Sequence, residues 1–263
     1  MLPKLIKISL IALVQTVAAD NIAIFYALDK DLSALASPDL KPVRQQSVGD
    51  RTIHFYEFED HTIATIKMRS GQVETAISAQ ALLAIFRADF AISIGPMAAF
   101  DESVEQGEIF YAKKVVNYQS GVATNSGVAP NESDHITLLP PQHIIAAIEQ
   151  QFERSITGIS IASGELFVSS EEFRNELKNQ YGTSAVEMNL FALSKALASH
   201  QVPSLHLRVV SDHGNSSASS DFREFVEEYE GELGSLVASL ISDFPSNPTS
   251  PNSYEGLKRL LGQ

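Results

Sequence analysis

The chain has 263 residues, 44% of them hydrophobic and 19% charged, which indicates a soluble globular protein with a full core and excludes extended disorder. Its 32 acidic residues outnumber its 19 basic ones and give a formal charge of −13, and the basic residues form no cluster, which argues against a nucleic-acid partner. The absence of cysteine excludes disulfides, thiol catalysis and thiolate metal sites.

Residues 1–19 have the pattern of a signal peptide. Lys4 and Lys7 give a basic start, residues 8–14 are apolar, and Val17-Ala18-Ala19 is a small-residue cleavage site. The apolar run is shorter than the roughly 20 residues that span a bilayer. We expect cleavage after Ala19 and an exported protein, periplasmic or secreted, with no stable membrane insertion. An uncleaved anchor or a first core helix is the alternative.

In the first half of the remaining chain, continuous apolar runs typical of strands alternate with segments whose apolar residues have the spacing of a helix. Asn21 to Leu28 has no period, which is typical of a buried parallel strand, and Asp29 to Asp31 follow as a polar segment. The other predicted elements are strands at 51–58, 61–68, 90–94 and 107–116, a helix at 71–86, and a Gly-, Ser- and Asn-rich loop at 120–134.

The second half continues the alternation. Its predicted elements are strands at 157–162 and 205–210, helices at 141–152, 171–181, 188–199 and 222–241, and a weak last turn at 257–261. Strands that alternate with helices favour a sheet covered on both faces. We therefore predict one α/β domain at residues 20–245, a single three-layer unit with a central mixed, mostly parallel sheet, and a polar C-terminal tail at 246–263.

Polar or unusual residues follow four predicted strands, at the position where ligands bind to sheets of this kind. Any single acidic residue there could instead be a solvated loop or helix-capping group. The order of the four segments is more informative than any one of them. They are Asp29 with Asp31, Gly95-Pro96-Met97, residues 163–167, and Ser211-Asp212.

Three segments of the second half carry the most specific pattern: Ser163 to Val168, Val186 to Asn189, and Arg208 to Asp212. They resemble the Ser-Gly-Asp-x-Phe, Val-Glu-Met-Glu and Arg-x-Ile-Ser-Asp segments of the 5′-methylthioadenosine/S-adenosylhomocysteine nucleosidases, within the wider nucleoside phosphorylase superfamily. Ala27 to Asp31 and Ser70 to Val73 match less specific family segments. The resemblance covers about residues 21–240 and implies a nucleoside phosphorylase-like fold.

The resemblance implies roles for the matched residues. Asp212 would be the acid that protonates or hydrogen-bonds purine N7, which makes the base a better leaving group. Phe167 would stack on the base and the Val168 backbone would hydrogen-bond its edge. Met188 would lie against the ribose, and Glu187 would bind a ribose hydroxyl or brace the pocket.

Other matched positions depart from the family pattern. Asp31 aligns with the glutamate that activates water, but its side chain is one methylene shorter. Asn189 replaces a glutamate that grips the ribose hydroxyls, and an amide binds them more weakly. Pro96 removes an amide donor from a small substrate-binding loop and Met97 fills space there. Ser70, before the first long helix, is also expected to contact substrate.

The resemblance implies that a phosphorylase of this superfamily would carry an arginine just before Gly95 to hold phosphate. Residues 91–94 contain no arginine, and Arg87 falls at the end of the preceding helix, so cleavage by water is favoured over phosphorolysis. The histidines have no metal-ligand spacing, and no metal or cofactor is expected. The resemblance also implies a homodimer or higher homo-oligomer. Two functions remain open: a nucleosidase that acts on a purine nucleoside or thionucleoside, and a catalytically weak or inactive protein that binds a nucleoside or another small molecule.

Overall fold

The computed structural model describes residues 21–35, 40–58, 61–125, 127–131, 134–152 and 155–242. The predicted signal peptide, polar tail and last turn lie outside these residues. Within the described part of the chain, no helix is long and apolar enough to cross a membrane.

The described residues form twelve strands, β1 Asn21–Tyr26, β2 Arg44–Val48, β3 Arg51–Phe58, β4 His61–Lys67, β5 Phe90–Ala99, β6 Ile109–Asn117, β7 Gly121–Thr124, β8 Gly127–Pro130, β9 His135–Thr137, β10 Thr157–Ser163, β11 Ala185–Glu187 and β12 Ser204–Asp212. Ten of these strands belong to one large sheet. Its order along the main path is β11-β10-β6-β12-β5-β1-β4-β3-β2, with β9 paired to β6, while β7 and β8 form a separate hairpin.

Half of this sheet closes on itself. β11 pairs with β10 in parallel and with β5 in antiparallel orientation, so the ring β5-β12-β6-β10-β11 returns to its first strand. This closure brings the end of β11 at Glu187 beside the end of β10 at Ser163, and the end of β12 at Asp212 beside Ala98 of β5. Three segments far apart in sequence therefore meet at one edge.

Helices cover both faces of the sheet. In the part of the chain that the structure describes there are seven: α1 Asp29–Leu35, α2 Gln72–Leu83, α3 Gln142–Phe152, α4 Glu171–Tyr181, α5 Leu190–Ser199, α6 Ala218–Glu228 and α7 Glu232–Ser242. Ile22, Ile24 and Tyr26 of β1 pack in a cluster with α3 and α7, whereas Ala23 and Phe25 pack in a cluster with α2 and α5. Side chains that alternate along this strand therefore belong to two cores, which explains why the run is apolar at every position.

Several predicted elements differ from the structure. The sheet is mixed, as predicted; among its described strands, β2, β3 and β9 pair only in antiparallel orientation. The expected helix 222–241 is two helices, since Gly231 between them has φ of +88°, a left-handed conformation that a helix does not continue. The expected loop 120–134 contains β7 and β8, and the polar segment at Asp29 to Asp31 begins α1.

β5 also runs further than predicted, through Gly95 and Pro96 to Ala99. Proline is tolerated here because β1 pairs with β5 only as far as Ile94, and Pro96 pairs with Val209 of β12 on the other side. Proline has no amide hydrogen, but on the side of β5 that faced β1 no described strand is paired at this position, so no hydrogen bond between strands is lost there. The extension carries residues 96–98 into the edge where the other strand ends meet.

Candidate functional site

A cavity of about 150 Å³ lies at the edge where the carboxyl ends of β1, β4, β5, β11 and β12 converge. Eight of the nine predicted site residues line it, and Asp31 does not. The eight are Ser70, Met97, Phe167, Val168, Glu187, Met188, Asn189 and Asp212.

Asp212 ends β12 with a carboxyl group that is almost fully buried, at 3% exposure. The Gly214 amide donates a 2.9 Å hydrogen bond to Oδ1, and the Ser211 hydroxyl lies 2.8 Å from Oδ2. Burial raises the pKa of Asp212 above its usual value, and the two donors only partly offset this. The carboxyl therefore has a raised proton affinity and faces an apolar cavity.

Phe167 lies across the same cavity in the loop after β10. It remains 43% exposed and meets the ring of Phe222, from α6, edge to face at a centroid distance of 5.6 Å. A partly exposed aromatic face next to a buried acid suits a planar heterocycle. Phe222 was missed as a cavity residue because its spacing resembles that of an ordinary amphipathic helix, which gives no sign of what the residue faces.

The loop that carries Phe167 is held to the start of α2. The Glu165 carboxylate accepts hydrogen bonds from the amides of Gln72 and Val73, at 2.9 and 3.1 Å, and so caps that helix. The Tyr118 hydroxyl lies within 3.3 Å of the Leu166 amide and carbonyl. These contacts fix one wall of the cavity, and none of them is evident from local sequence.

The Glu187 carboxylate lines the cavity but is also bonded within the protein. It accepts hydrogen bonds from the Ser163 hydroxyl at 2.5 Å and from the amides of Asn189 and Leu190, at the start of α5. Arg208 Nη2 lies 3.4 Å from Oε2, and both side chains are buried. Of the two predicted roles, bracing the pocket is the one that these contacts support.

Asn189 is likewise held by protein groups. Its side-chain nitrogen donates to the Arg69 carbonyl oxygen at 2.8 Å and to the Thr75 hydroxyl at 2.5 Å. The amide thus joins the segment after β4 to α2 and to the start of α5. Its nitrogen has no free hydrogen for a ligand, since an amide NH₂ group has two.

Asp31 lies behind the cavity wall rather than on it. Its carboxyl is fully buried, and Oδ1 accepts a 2.5 Å hydrogen bond from the Tyr229 hydroxyl. Burial raises the pKa of Asp31 to about 6, although hydrogen bonds from Tyr229 and the Gly234 amide lower it. The backbone of Asp31 is close to the wall, because its amide donates to the carbonyl oxygen of Leu28, which lines the cavity.

A buried polar chain runs through the sheet behind Glu187. His206 lies between the hydroxyls of Ser93, at 2.8 Å, and Ser204, at 2.9 Å, and its burial lowers its pKa to about 3. The imidazole is therefore neutral, and Arg208 Nη1 lies 3.2 Å from the same Ser93 hydroxyl. This chain holds the guanidinium that pairs with Glu187.

The cavity contains no basic side chain among its lining residues in the described part of the chain. In the same described residues, no group of three or more acidic or histidine side chains is placed to hold a metal ion. What the arrangement offers is a buried acid, an aromatic face and an apolar wall. These features suit proton donation to the leaving group of a bound heterocyclic compound.

Comparison with known proteins gives consistent results. Residues 21–242 match the family model described as the phosphorylase superfamily. A 5′-methylthioadenosine/S-adenosylhomocysteine nucleosidase of Staphylococcus aureus (strain JH9) is 26% identical over 233 residues, covering 84% of this chain and 99% of the relative.

Two solved structures from Helicobacter pylori share the fold. A 5′-methylthioadenosine/S-adenosyl homocysteine nucleosidase superposes with a TM-score of 0.77 at 18% identity, covering 86% of this chain and 99% of the other. A futalosine hydrolase superposes with a TM-score of 0.77 at 17% identity, covering 85% and 98%.

Proposed function

Because this chain belongs to the phosphorylase superfamily, we propose that it is a nucleosidase that hydrolyses the N-glycosidic bond of a purine nucleoside or thionucleoside. The observation that carries the proposal is the pairing of Asp212 and Phe167 across one cavity. Phe167 would stack on the base, and Asp212 would donate its proton to N7. Protonation lowers the barrier because the base then leaves as a neutral group.

Water is proposed as the acceptor rather than phosphate. A phosphate ion in this cavity would require cationic donors, and no Lys or Arg is among the described residues that line it. Asp31 is the proposed base for the attacking water. Val168, Met188, Ser70 and Met97 are proposed to contact the substrate, while Glu187 and Asn189 support the wall.

Release of free base tests the proposal. Purified protein is incubated with methylthioadenosine, adenosine, inosine and uridine, with and without phosphate. We expect release from a purine compound at a rate independent of phosphate, and a loss of at least about 100-fold in Asp212→Asn. Glu224→Gln, which changes an exposed acid on α6, is the matched control and should retain full activity. Equal rates in Asp212→Asn and the control would exclude the proposed acid.

A second candidate function is binding without turnover. It is favoured by the position of Asp31 behind the wall, and by Asn189, whose amide hydrogens are taken up by Arg69 and Thr75. Calorimetric titration of the same compounds separates the two functions. Saturable binding with no release of base would support the binding protein, and binding with release would support the nucleosidase.

Assembly is proposed from an exposed apolar surface near the cavity, formed by Val73 and Ile77 of α2 and by Leu166. Their side chains are 64%, 46% and 52% exposed. A second copy of the chain would cover them, giving a homodimer or higher homo-oligomer. Sedimentation of the wild type and of Val73→Glu tests this, since a carboxylate at such an interface should shift the protein towards monomer.

The N-terminal segment and the domain that follows it have the arrangement expected of an exported protein. We infer that residues 1–19 are removed, that 20–245 form one three-layer domain and that the mature protein is periplasmic or secreted, without membrane insertion. N-terminal sequencing of protein recovered outside the cytoplasm should begin at Asp20. An intact Met1 would contradict cleavage.

A further inference from the structure

The hydrogen bond between Tyr229 and Asp31 joins residues 198 positions apart and belongs to no predicted motif. Tyr229 follows α6, whereas Asp31 lies in α1. The phenol has a single hydrogen, and the 2.5 Å contact with Oδ1 uses it. Oδ2 of the same carboxyl has no partner among the described residues. One carboxyl oxygen is therefore held by the phenol, and the other is buried without a hydrogen bond in the part of the chain that the structure describes.

The phenol is itself fixed in place. Its oxygen accepts a 3.0 Å hydrogen bond from the Leu233 amide in the first turn of α7, and its ring stacks on Phe225 at a centroid distance of 4.9 Å. Tyr229 is 4% exposed. An ordered phenol of this kind loses little entropy when it holds a partner, so the bond to Asp31 is preorganised.

The backbones around the two residues are also packed closely. A Cβ on Gly231 would collide with the Lys30 carbonyl oxygen, and one on Gly234 would collide with the carbonyl oxygen of Asp31. The start of α7 therefore lies directly on α1. Tyr229 is held over Asp31 by two backbone contacts that tolerate no side chain.

We propose that Tyr229 is a positioning residue for the water-activating step, holding Oδ1 of Asp31 so that Oδ2 is the atom that accepts the proton. The proposal rests on the proposed nucleosidase function. In the step, Oδ2 takes a proton from water as the water oxygen bonds to C1′ of the sugar. The C1′–N bond breaks, its electron pair goes to the base, and Asp212 supplies the proton that the base acquires.

The charged and titratable groups that face Asp31 come from three elements. Tyr229 and the Gly234 amide donate hydrogen bonds, Arg208 of β12 attracts the carboxylate, and Glu232 of α7 repels it. Burial raises the pKa of Asp31 to about 6, so the carboxylate predominates at pH 7. Loss of the Tyr229 bond removes a group that favours the charged form, and the pKa should then rise further.

The test compares Tyr229→Phe with wild type in kcat and KM across pH 5 to 9. We expect the acidic limb of kcat to move up by about one pH unit, because one hydrogen bond to a charged group is worth about that much. KM should stay within twofold, since Tyr229 does not line the cavity. Tyr181→Phe is the matched control; it also loses a phenol hydrogen bond, to the Tyr118 carbonyl oxygen, but Tyr181 is not one of the groups that act on the Asp31 carboxyl.

Unchanged pH limbs in an active Tyr229→Phe, or full activity in Asp31→Asn, would overturn the inference. A wild type that releases no base would instead overturn the proposed function. In that case, the pKa of Asp31 can still be measured by ¹³C carboxyl titration in wild type and in Tyr229→Phe. A higher pKa in the variant supports the hydrogen bond from Tyr229 to Oδ1, and equal pKa values contradict it.

Discussion

Glu187 and Arg208 form a buried ion pair directly behind the cavity, with Nη2 3.4 Å from Oε2. The carboxylate is the acceptor for a serine hydroxyl and two helix amides as well as the guanidinium. A residue that sequence similarity assigns to substrate thus has a second task, which is to neutralise a charge inside the sheet.

Glu187→Gln should be strongly destabilising, because it leaves the Arg208 guanidinium buried without a counter-charge. We expect the free energy of unfolding in urea to fall by about 3–5 kcal/mol. Asp29→Asn is the matched control: it removes the partner of Lys67 from an exposed pair and should cost no more than about 1 kcal/mol. Equal losses of unfolding free energy in the two variants would show that the buried pair contributes no more to stability than the exposed one.

Asp31→Asn should stabilise the fold at neutral pH. The folded-state pKa is raised to about 6, so the folded protein holds a proton on Asp31 at pH values where the unfolded chain has lost it. The free energy of unfolding therefore falls as pH rises from about 4 to 6, the interval between the unfolded-state and folded-state pKa values of this carboxyl. Above that range the whole cost of burying the charged carboxylate is present. The pKa shift corresponds to a loss of at most about 3 kcal/mol in the free energy of unfolding.

Urea unfolding at pH 4 and pH 7.5 measures this difference. The gain of Asp31→Asn over wild type should be small at pH 4 and largest at pH 7.5. Asp101→Asn is the control of opposite sign, because hydrogen bonds from the Ser103 amide and hydroxyl lower the pKa of that exposed carboxyl. It should give no gain at pH 7.5. A gain for Asp31→Asn that does not vary with pH would contradict the assignment.

Phe167→Ala should weaken ligand binding without weakening the fold. The side chain is 43% exposed, so its removal costs less burial than that of a core phenylalanine, and the face available to a heterocycle disappears. We expect affinity for the best purine ligand to fall by about tenfold or more, with the unfolding midpoint nearly unchanged. Leu139→Ala, at a side chain 87% exposed, is the control and should alter neither quantity. Calorimetry and thermal unfolding of both variants provide the measurement.

Gly234→Ala should disrupt the contact between α1 and α7, because the added Cβ collides with the Asp31 carbonyl oxygen. Gly107→Ala is a useful comparison: its φ is +89°, but nothing lies within 4 Å of the added atom, so it measures backbone strain alone, about 1 kcal/mol. Gly234→Ala should cost more than this in urea unfolding. A smaller loss would mean that α7 can shift away from α1.

The sequence by itself determined the strand ends that carry polar residues and most of the cavity wall. Ser163 to Val168, Val186 to Asn189 and Asp212 are segments recognisable in the sequence at predicted strand ends, where ligands bind to sheets of this kind. The resemblance to the nucleosidase segments identified Asp212 as the acid candidate, and in the structure Asp212 and Phe167 line the same cavity.

Only the tertiary structure decided what each carboxyl faces. Nothing near residue 31 indicates that Tyr229 covers it, and nothing near residue 187 indicates that Arg208 neutralises it, because both partners arrive by long-range packing. The break at Gly231 and the mixed pairing of the sheet have the same origin. Local propensity describes what a segment can form, whereas burial and pairing depend on which distant segments meet it.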